Sequence, residues 1–388
     1  MDLDAFAWLL TDDGQALLAE AETLADVQPL KAQAELRKKA TAAHVALALS
    51  QAELRRHAVT KFGSLAAGMY FTRDGLEQAT RLAVAEHRAA RLRAFDAASV
   101  IDLGCGIGGD LIAVARAGIT AAGVDVDPVR VAVASANLDA LHLGGAVQVA
   151  DATTIDTSPF PVAFADPARR GARGRVMDAE GWTPPWPWVQ TLFARDACVK
   201  VAPGIPHGLI PDGVEAEFVS DRGDVKEAAL WSGRLATVRR RATVIGDGGL
   251  ATLTDEDDPG AGVRTVGRFL YEPDGAVIRA GLVTAVAAGV GGGLVDEHIA
   301  YVTSDDPFRT PFATAYEVLE ELPYREKQLK AALRERGIGR LTIKKRGVDV
   351  VPESLRKRLD LAGDDDATIV LTRVAGEGTC LLVQPLRG

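Results

Sequence analysis

Residues 101–110 read IDLGCGIGGD. An apolar run, SVIDL, ends there in a cluster of glycines, and DLIAVARAG then continues with apolar residues at helical spacing. Strand, glycine turn and helix in that order form the ligand-binding opening of an open α/β sheet. Glycine at such a turn accepts positive φ and lets a ligand approach the backbone closely. Two spacings overlap in this stretch. Gly104, Gly106 and Gly109 satisfy GxGxxG, the dinucleotide fingerprint. Asp102 with Gly104, Gly106 and Gly108 makes DxGxGxG instead. The glycines alone do not choose between them.

Asp102 does. A carboxylate two residues before the turn repels a pyrophosphate. It attracts S-adenosylmethionine (SAM), which presents an ammonium and a sulfonium, by ~1 kcal/mol at 4 Å in water and several times more where shielded. The acids downstream agree. Asp125 closes the strand TAAGVDV, 23 residues after Asp102, at the interval where an acid holds both ribose hydroxyls. Asp127–Pro128 is expected to open the next helix. Asp151 closes AVQVAD, where a carboxylate accepts from the adenine amino group, and Asp166 closes PVAFAD. Four acids at successive strand ends lie along one edge of a sheet. Their neighbours Cys105, Val126 and Ala152 complete the expected cofactor-binding set.

Outward from this point, apolar strands alternate with helices of 10–15 residues, so the expected fold is α/β with a parallel, Rossmann-like sheet covered on both faces. HGLIP at 207–211 and AEFVSD at 216–221 continue the series, the first weakly. Residues 1–58, rich in Ala, Leu, Glu and Arg, read as a helical N-terminal region. In MYFTRDGLEQAT, residues 69–80, Thr72 is expected to cap a helix, and Tyr70–Phe71 either staples that helix or lines the site. The sheet domain spans 59–245. Residues 246–320 form a linking or insertion subdomain, with a hairpin expected around Pro273–Asp274–Gly275 before a helix at GLVTAVAAG. Residues 321–388 read as helix, strand, helix and two strands, an α+β module.

Composition narrows the function classes. The chain has 388 residues, 47% hydrophobic and 25% charged, with no apolar run of the length that crosses a membrane. Cys105, Cys198 and Cys380 stand far apart and the N-terminus is acidic, so a reducing cytoplasm is expected rather than a disulfide framework or a secretory leader. The six histidines show no metal-ligand spacing, and no metal is expected. The net charge is −9, yet residues 325–358 carry 12 Lys or Arg against 4 Asp or Glu. Such an asymmetry marks either a nucleic-acid-facing segment or a solvated helix face.

VIDLGCGIGGD and GVDVDPVRVAVASANL resemble the class I SAM-dependent methyltransferases over roughly residues 60–245, and the RNA guanine-N2 enzymes of the trimethylguanosine-synthase type in particular. With MYFTRDGLEQAT upstream, DPARRG at 166–171 and the basic tail, the chain is similar to a bacterial methyltransferase family with a C-terminal THUMP-like domain. The resemblance implies SAM as cofactor and an RNA substrate, tRNA or rRNA.

AFADPARRG, residues 163–171, nearly matches the signature of amine methylation, an acid or amide followed by two prolines and an aromatic. Asp166 and the carbonyl of Pro167 can serve as acceptors for an exocyclic NH2; the alternative is that Asp166 only closes the SAM pocket while the arginines coat the surface. Ala168 stands in place of the second proline. Arg169 stands in place of the aromatic and either stacks its guanidinium on a base or binds phosphate. The catalytic set is therefore Asp166, Pro167 and Arg169, with Phe71, Arg170, Trp186, Lys344, Lys345 and Arg346 as substrate-binding candidates. WTPPWPW at 182–188 reads as a loop packed on the sheet or as a platform for a flipped base, because its prolines oppose a regular helix. No cysteine lies at the motif, which disfavours C5 methylation of a pyrimidine. The alternatives left open are a small-molecule or protein methyltransferase, and an RNA-binding protein that keeps the fold without catalysis.

Overall fold

The computed structural model describes residues 1–24, 29–169 and 181–386. The chain divides into two compact units. The first comprises Met1–Val201, Ile205–Val214 and Ala229–Thr237, and the second Ala202–Gly204, Glu215–Ala228 and Val238–Gly388.

The first unit opens with helices α1 (Leu3–Leu9), α2 (Asp12–Leu24), α3 (Pro29–Leu36) and α4 (Ala42–Phe62), followed by α5 (Arg73–Gln78) and α6 (Leu82–Ala94). Val45, Ala48, Ala52 and Ala58 of α4 share one apolar cluster with Phe6, Leu9, Leu17 and Leu18. The cluster also takes in Ile107, Ile112, Val133 and Leu138, so the N-terminal helices and the sheet domain share a core. Strands β1 (Ser99–Leu103), β2 (Thr120–Asp125), β3 (Ala146–Val149), β4 (Val162–Ala165) and β7 (Ala197–Val201) pair in parallel in the order β7-β4-β1-β2-β3. Helices α7 (Gly109–Arg116) and α8 (Pro128–Ala140) connect the first three. The chain runs outward from β1 to β3 and returns to β4 on the other side of β1. Open α/β sheets bind ligands at such a switch point, beyond the carboxyl ends of the strands. Between β4 and β7 lie the short strands β5 (Ala168–Arg169) and β6 (Trp182–Thr183) and helix α9 (Trp186–Leu192).

Two buried amides fasten segment 69–71, and one of them also holds the glycine turn. The Asn137 side chain of α8 accepts from Tyr70 N at 2.6 Å and donates to Tyr70 O at 3.1 Å and to Ile107 O at 2.9 Å. The Gln51 side chain of α4 accepts from Phe71 N at 3.0 Å and donates to Phe71 O at 2.6 Å. Segment 69–71 is thus strapped across the glycine turn, and every polar group of the strap is satisfied inside an apolar cluster. Thr72 caps α5 by accepting from Gly75 N at 3.0 Å.

In the second unit, β8 (Glu215–Asp221) pairs in parallel with β10 (Arg240–Gly246), which pairs antiparallel with β11 (Gly249–Thr254). Strand β9 (Asp224–Ser232) is divided between the units at Ala228 and Ala229. A second sheet contains β12 (Phe269–Pro273), β13 (Gly293–Asp296), β14 (Ile299–Ser304), β15 (Ala313–Leu322), β16 (Ile338–Lys345), β17 (Asp365–Val374) and β18 (Glu377–Pro385), in the order β13-β14-β12-β15-β18-β17-β16. Helices α10 (Gly275–Ala280) and α11 (Val283–Gly289) follow β12. Helices α12 (Glu326–Glu335) and α13 (Pro352–Leu359) lay Leu329, Leu333, Leu355 and Leu359 over Leu341, Ile369 and Cys380. Each such leucine contributes about 1.5–3 kcal/mol through burial.

Three local expectations are corrected. Pro273–Asp274–Gly275 is no hairpin, because the Asp274 side chain accepts from Ala276 N at 2.8 Å and starts α10. HGLIP is no strand: residues 207–209 form a single 3₁₀ turn. The prolines of WTPPWPW do not prevent a helix, because Pro187 sits in the first turn of α9, where an amide hydrogen is not needed. Replacing Asn137 by Ala leaves three buried backbone groups without partners. Denaturant unfolding is expected to show a loss of at least about 2 kcal/mol.

Candidate functional site

The glycine turn is shaped by its backbone. Gly104, Gly106 and Gly108 have φ of 120°, 55° and 84°, a region that side chains disfavour. Both Gly104 N and Cys105 N donate to Val124 O at 2.9 Å, which draws the turn onto the end of β2. Among the described residues, a methyl group built on Gly106 would meet nothing within 4 Å, and one on Gly104 only the Asp166 carbonyl oxygen at 4.0 Å. The turn therefore borders open space. Gly108 serves packing instead: its added carbon would stand 3.2 Å from Ala134 Cβ of α8.

Asp125 is buried at the end of β2. One oxygen accepts from Gly106 N at 3.1 Å and the other from Asp127 N at 2.9 Å, with Arg130 at 3.9 Å. Val126 beside it is 67% exposed. Asp127 caps α8 by accepting from Val129 N, as expected. Asp151 lies two residues beyond β3, exposed, and accepts from the amide and hydroxyl of Thr153, which hold its carboxyl below the usual range. Ala152 beside it is half-buried. The Cys105 thiol is buried toward Gly123, and burial pushes its pKa up, so it offers no nucleophile.

Asp102 lies inside β1, between Gly123 of β2 and Phe164 of β4, and is 3% exposed. Its Oδ1 is buried without a hydrogen-bond partner among the described residues. Burial drives its pKa well above the usual range, and repulsion from Asp110 and Asp166 adds to this, with Arg88 and Lys200 offsetting part. The other two carboxylates have partners. Asp110, in the first turn of α7, pairs with Arg88 of α6 and accepts from Thr80 Oγ1 at 2.8 Å. Arg88 also lies 4.5 Å above the Phe164 ring. Asp166, just beyond β4, is half-buried and pairs with Lys200 of β7, whose Nζ also reaches Thr80 Oγ1 at 3.1 Å. Pro167 is buried.

An orphaned buried carboxylate oxygen beside an open glycine cradle fits a cationic ligand that approaches the backbone closely. A pyrophosphate would face three carboxylates instead. A curated relative in two strains of Mycobacterium tuberculosis, described as an uncharacterized S-adenosylmethionine-dependent methyltransferase, is 38% identical over 311 residues, covering 78% of this chain and 84% of the relative. The chain belongs to the S-adenosylmethionine-dependent methyltransferases. Within this methyltransferase, residues 313–385 match the THUMP domain-like family and residues 2–58 match a domain of unknown function. A crystal structure of a putative methyltransferase from Porphyromonas gingivalis shares its fold at a TM-score of 0.75 and 20% identity, covering 96% of this chain and 98% of that one. The cofactor is SAM.

The substrate-side candidates fare differently. Phe71 is fully buried in the helical cluster and lines no opening. Trp186 is 5% exposed, held edge-on by Trp182 at 5.0 Å and Phe193 at 6.1 Å, and presents no face for stacking. Arg169 is placed by its backbone in β5, opposite Trp182, and Arg170 lies outside the described residues. Lys344 is engaged by Glu272 at 2.6 Å, Arg346 lies 4.0 Å from Glu272 and above the Tyr301 ring, and Lys345 is exposed. Residues absent from the expected set complete the site: Lys200, Asp110, Thr80 and Arg88. A lone lysine in the apolar strand ACVKV was their one signal in the sequence.

Asp102→Asn tests the cradle in two ways. Between the ordinary carboxylate pKa and its raised value, folded Asp102 holds a proton that the unfolded chain has lost, so stability falls as pH rises through that window. The variant is expected to raise the Tm of the ligand-free protein at neutral pH. Calorimetry is expected to show SAM affinity falling about tenfold, which corresponds to ~1.4 kcal/mol. Unchanged affinity contradicts the cradle.

Proposed function

We propose that this methyltransferase acts on RNA, tRNA or rRNA, with a base nitrogen as acceptor. Residues 59–245 carry the transfer and residues 321–388 recognise the substrate. One observation carries the reading: Asp166 stands beyond β4, beside the glycine turn, in a chain that also carries a THUMP-like domain. SAM supplies an electrophilic methyl group on a sulfonium. Asp102, Gly104, Gly106 and Gly108 would bound the methionine end of the cofactor. Asp125 and Val126 would meet the ribose and one face of the adenine, and Asp151 and Ala152 the adenine edge.

Methyl transfer is an in-line displacement, so the chain's task is to orient the acceptor. Asp166 and the Pro167 carbonyl would accept the two N–H bonds of an exocyclic amine, which turns its lone pair toward the methyl group. The proton released on transfer passes to Asp166 or to water. Arg169 would stack on the base or hold a neighbouring phosphate.

The tail engages RNA through fewer cations than its composition suggests. Arg336 pairs with Glu320, Arg334 with Asp360, Arg340 with Asp366, Arg358 with Glu326 and Lys344 with Glu272. Lys327, Lys345 and Lys357 remain exposed. This internal pairing favours, as a second reading, a module that serves assembly while the acceptor is a small molecule or protein.

Two measurements separate these readings. Tritiated methyl from SAM is expected to enter RNA from a strain lacking the gene, with at least a ~10²-fold lower rate for Asp166→Ala. Label confined to protein or small molecules selects the second reading. RNA affinity of the full chain is expected to fall with salt along a log–log slope of about −2, the equivalent of roughly three phosphate contacts at −0.7 each. Lys345→Glu with Lys357→Glu is expected to flatten that slope.

A further inference from the structure

The pairing of Asp166 assigns a role to a residue outside the acceptor motif. In the register of β4 and β7, Ala165 lies opposite Val199. Asp166 and Lys200 therefore leave neighbouring parallel strands at the same level. The Lys200 side chain is 16% exposed and its ammonium is bonded to Asp166 Oδ2. That ammonium is not left to find its own position. Thr80 Oγ1 accepts from it at 3.1 Å and donates to Asp110 Oδ2 at 2.8 Å, and Asp110 Oδ1 is paired with Arg88. Arg88 is only 4% exposed and rests over Phe164, a β4 residue two positions before Asp166. The polar chain starts at the acceptor carboxylate and returns to the strand that carries it.

Each link has a physical consequence. An ionised carboxylate has two oxygens and about four acceptor positions. With Oδ2 held by Lys200, rotation of the group is blocked and Oδ1 keeps one direction. Lys200 also offsets charge where Asp102, Asp110 and Asp166 repel one another. A carboxylate free to turn would spend much of its time away from the geometry that in-line attack requires.

We propose that Lys200 is a positioning residue for methyl transfer. Anchored through Thr80 and Asp110 to Arg88, it fixes Asp166 so that the remaining oxygen meets the methyl acceptor. The proposal rests on the assignment of Asp166 to the acceptor, and does not depend on whether that acceptor is RNA.

The test compares wild type with Lys200→Met, Lys200→Arg, Asp166→Asn and the double variant Asp166→Asn/Lys200→Met. Tritiated SAM is offered with the RNA, protein and small-molecule fractions of a strain lacking the gene, and the variants are compared on whichever fraction the wild type labels. Lys200→Met is expected to lose about 10²-fold in kcat, with KM for the acceptor and Kd for SAM each within about threefold. Lys200→Arg should recover at least about tenfold of that loss, because a guanidinium keeps the charged bond to the carboxylate. The double variant should be no more than about threefold slower than Asp166→Asn, since Lys200 acts only through Asp166. Should Lys200→Met fail to fold, Thr80→Val, which cuts the chain one link further back, is expected to lower kcat about fivefold to tenfold, with SAM affinity kept. Full kcat in Lys200→Met, or losses that multiply in the double variant, overturns the positioning role. Label in a fraction other than RNA overturns the RNA reading alone, and a wild type that labels no fraction overturns both.

Discussion

Three carboxylates gathered at the carboxyl ends of two neighbouring strands impose the constraint on which the site depends. Asp102, Asp110 and Asp166 repel one another, and Asp102 is buried with an oxygen that has no hydrogen-bond partner among the described residues. Such an arrangement is unfavourable by itself and persists because other groups hold it. Arg88 takes Asp110 and Lys200 takes Asp166, and Thr80 joins the two pairs. The carboxylate left over is the one beside the open glycine turn. A cationic cofactor is the natural complement of that residue, as a pyrophosphate would be its opposite. Electrostatics thus selects the ligand class, and the backbone of the turn gives that ligand room to approach.

A second device keeps this arrangement in place. The strap 69–71 crosses the glycine turn, and its amides and carbonyls are satisfied by Gln51 from one side and Asn137 from the other. Asn137 also takes the carbonyl of Ile107 within the turn. Two buried amides of this kind are costly unless fully bonded, so they define one position for the strap. Thr80, which bridges the two ion pairs, lies two residues beyond helix α5, which this strap introduces. The N-terminal helices therefore bear on the chemistry through packing.

Much of this was readable from local spacing. The acids of the strand ends, the caps at Thr72 and Asp127 and the glycine turn are all set by residues within a few positions of one another. The features that sequence reasoning missed depend on register or on distant partners. Lys200 meets Asp166 only because β7 lies beside β4, and 34 residues separate the two. Asp110 reads as an ordinary acid of a first helical turn until Arg88 is brought to it. The expected hairpin at 273–275 failed because one aspartate can cap a helix as readily as it can start a turn. For Phe71 and Trp186 the sequence left packing and substrate contact both open, and burial of each side chain decides for packing. The basic run of the tail was read without Glu272, Glu320, Asp360 and Asp366, which stand outside it and neutralise much of it.

The central claim is that a SAM cradle and an acceptor carboxylate in one chain modify RNA. Mass spectrometry of the nucleosides of total RNA from a strain lacking the gene tests this most directly. The account predicts that one base-methylated nucleoside disappears, returns with the wild-type gene and does not return with Asp166→Ala. A nucleoside profile identical to that of the parent strain would contradict it.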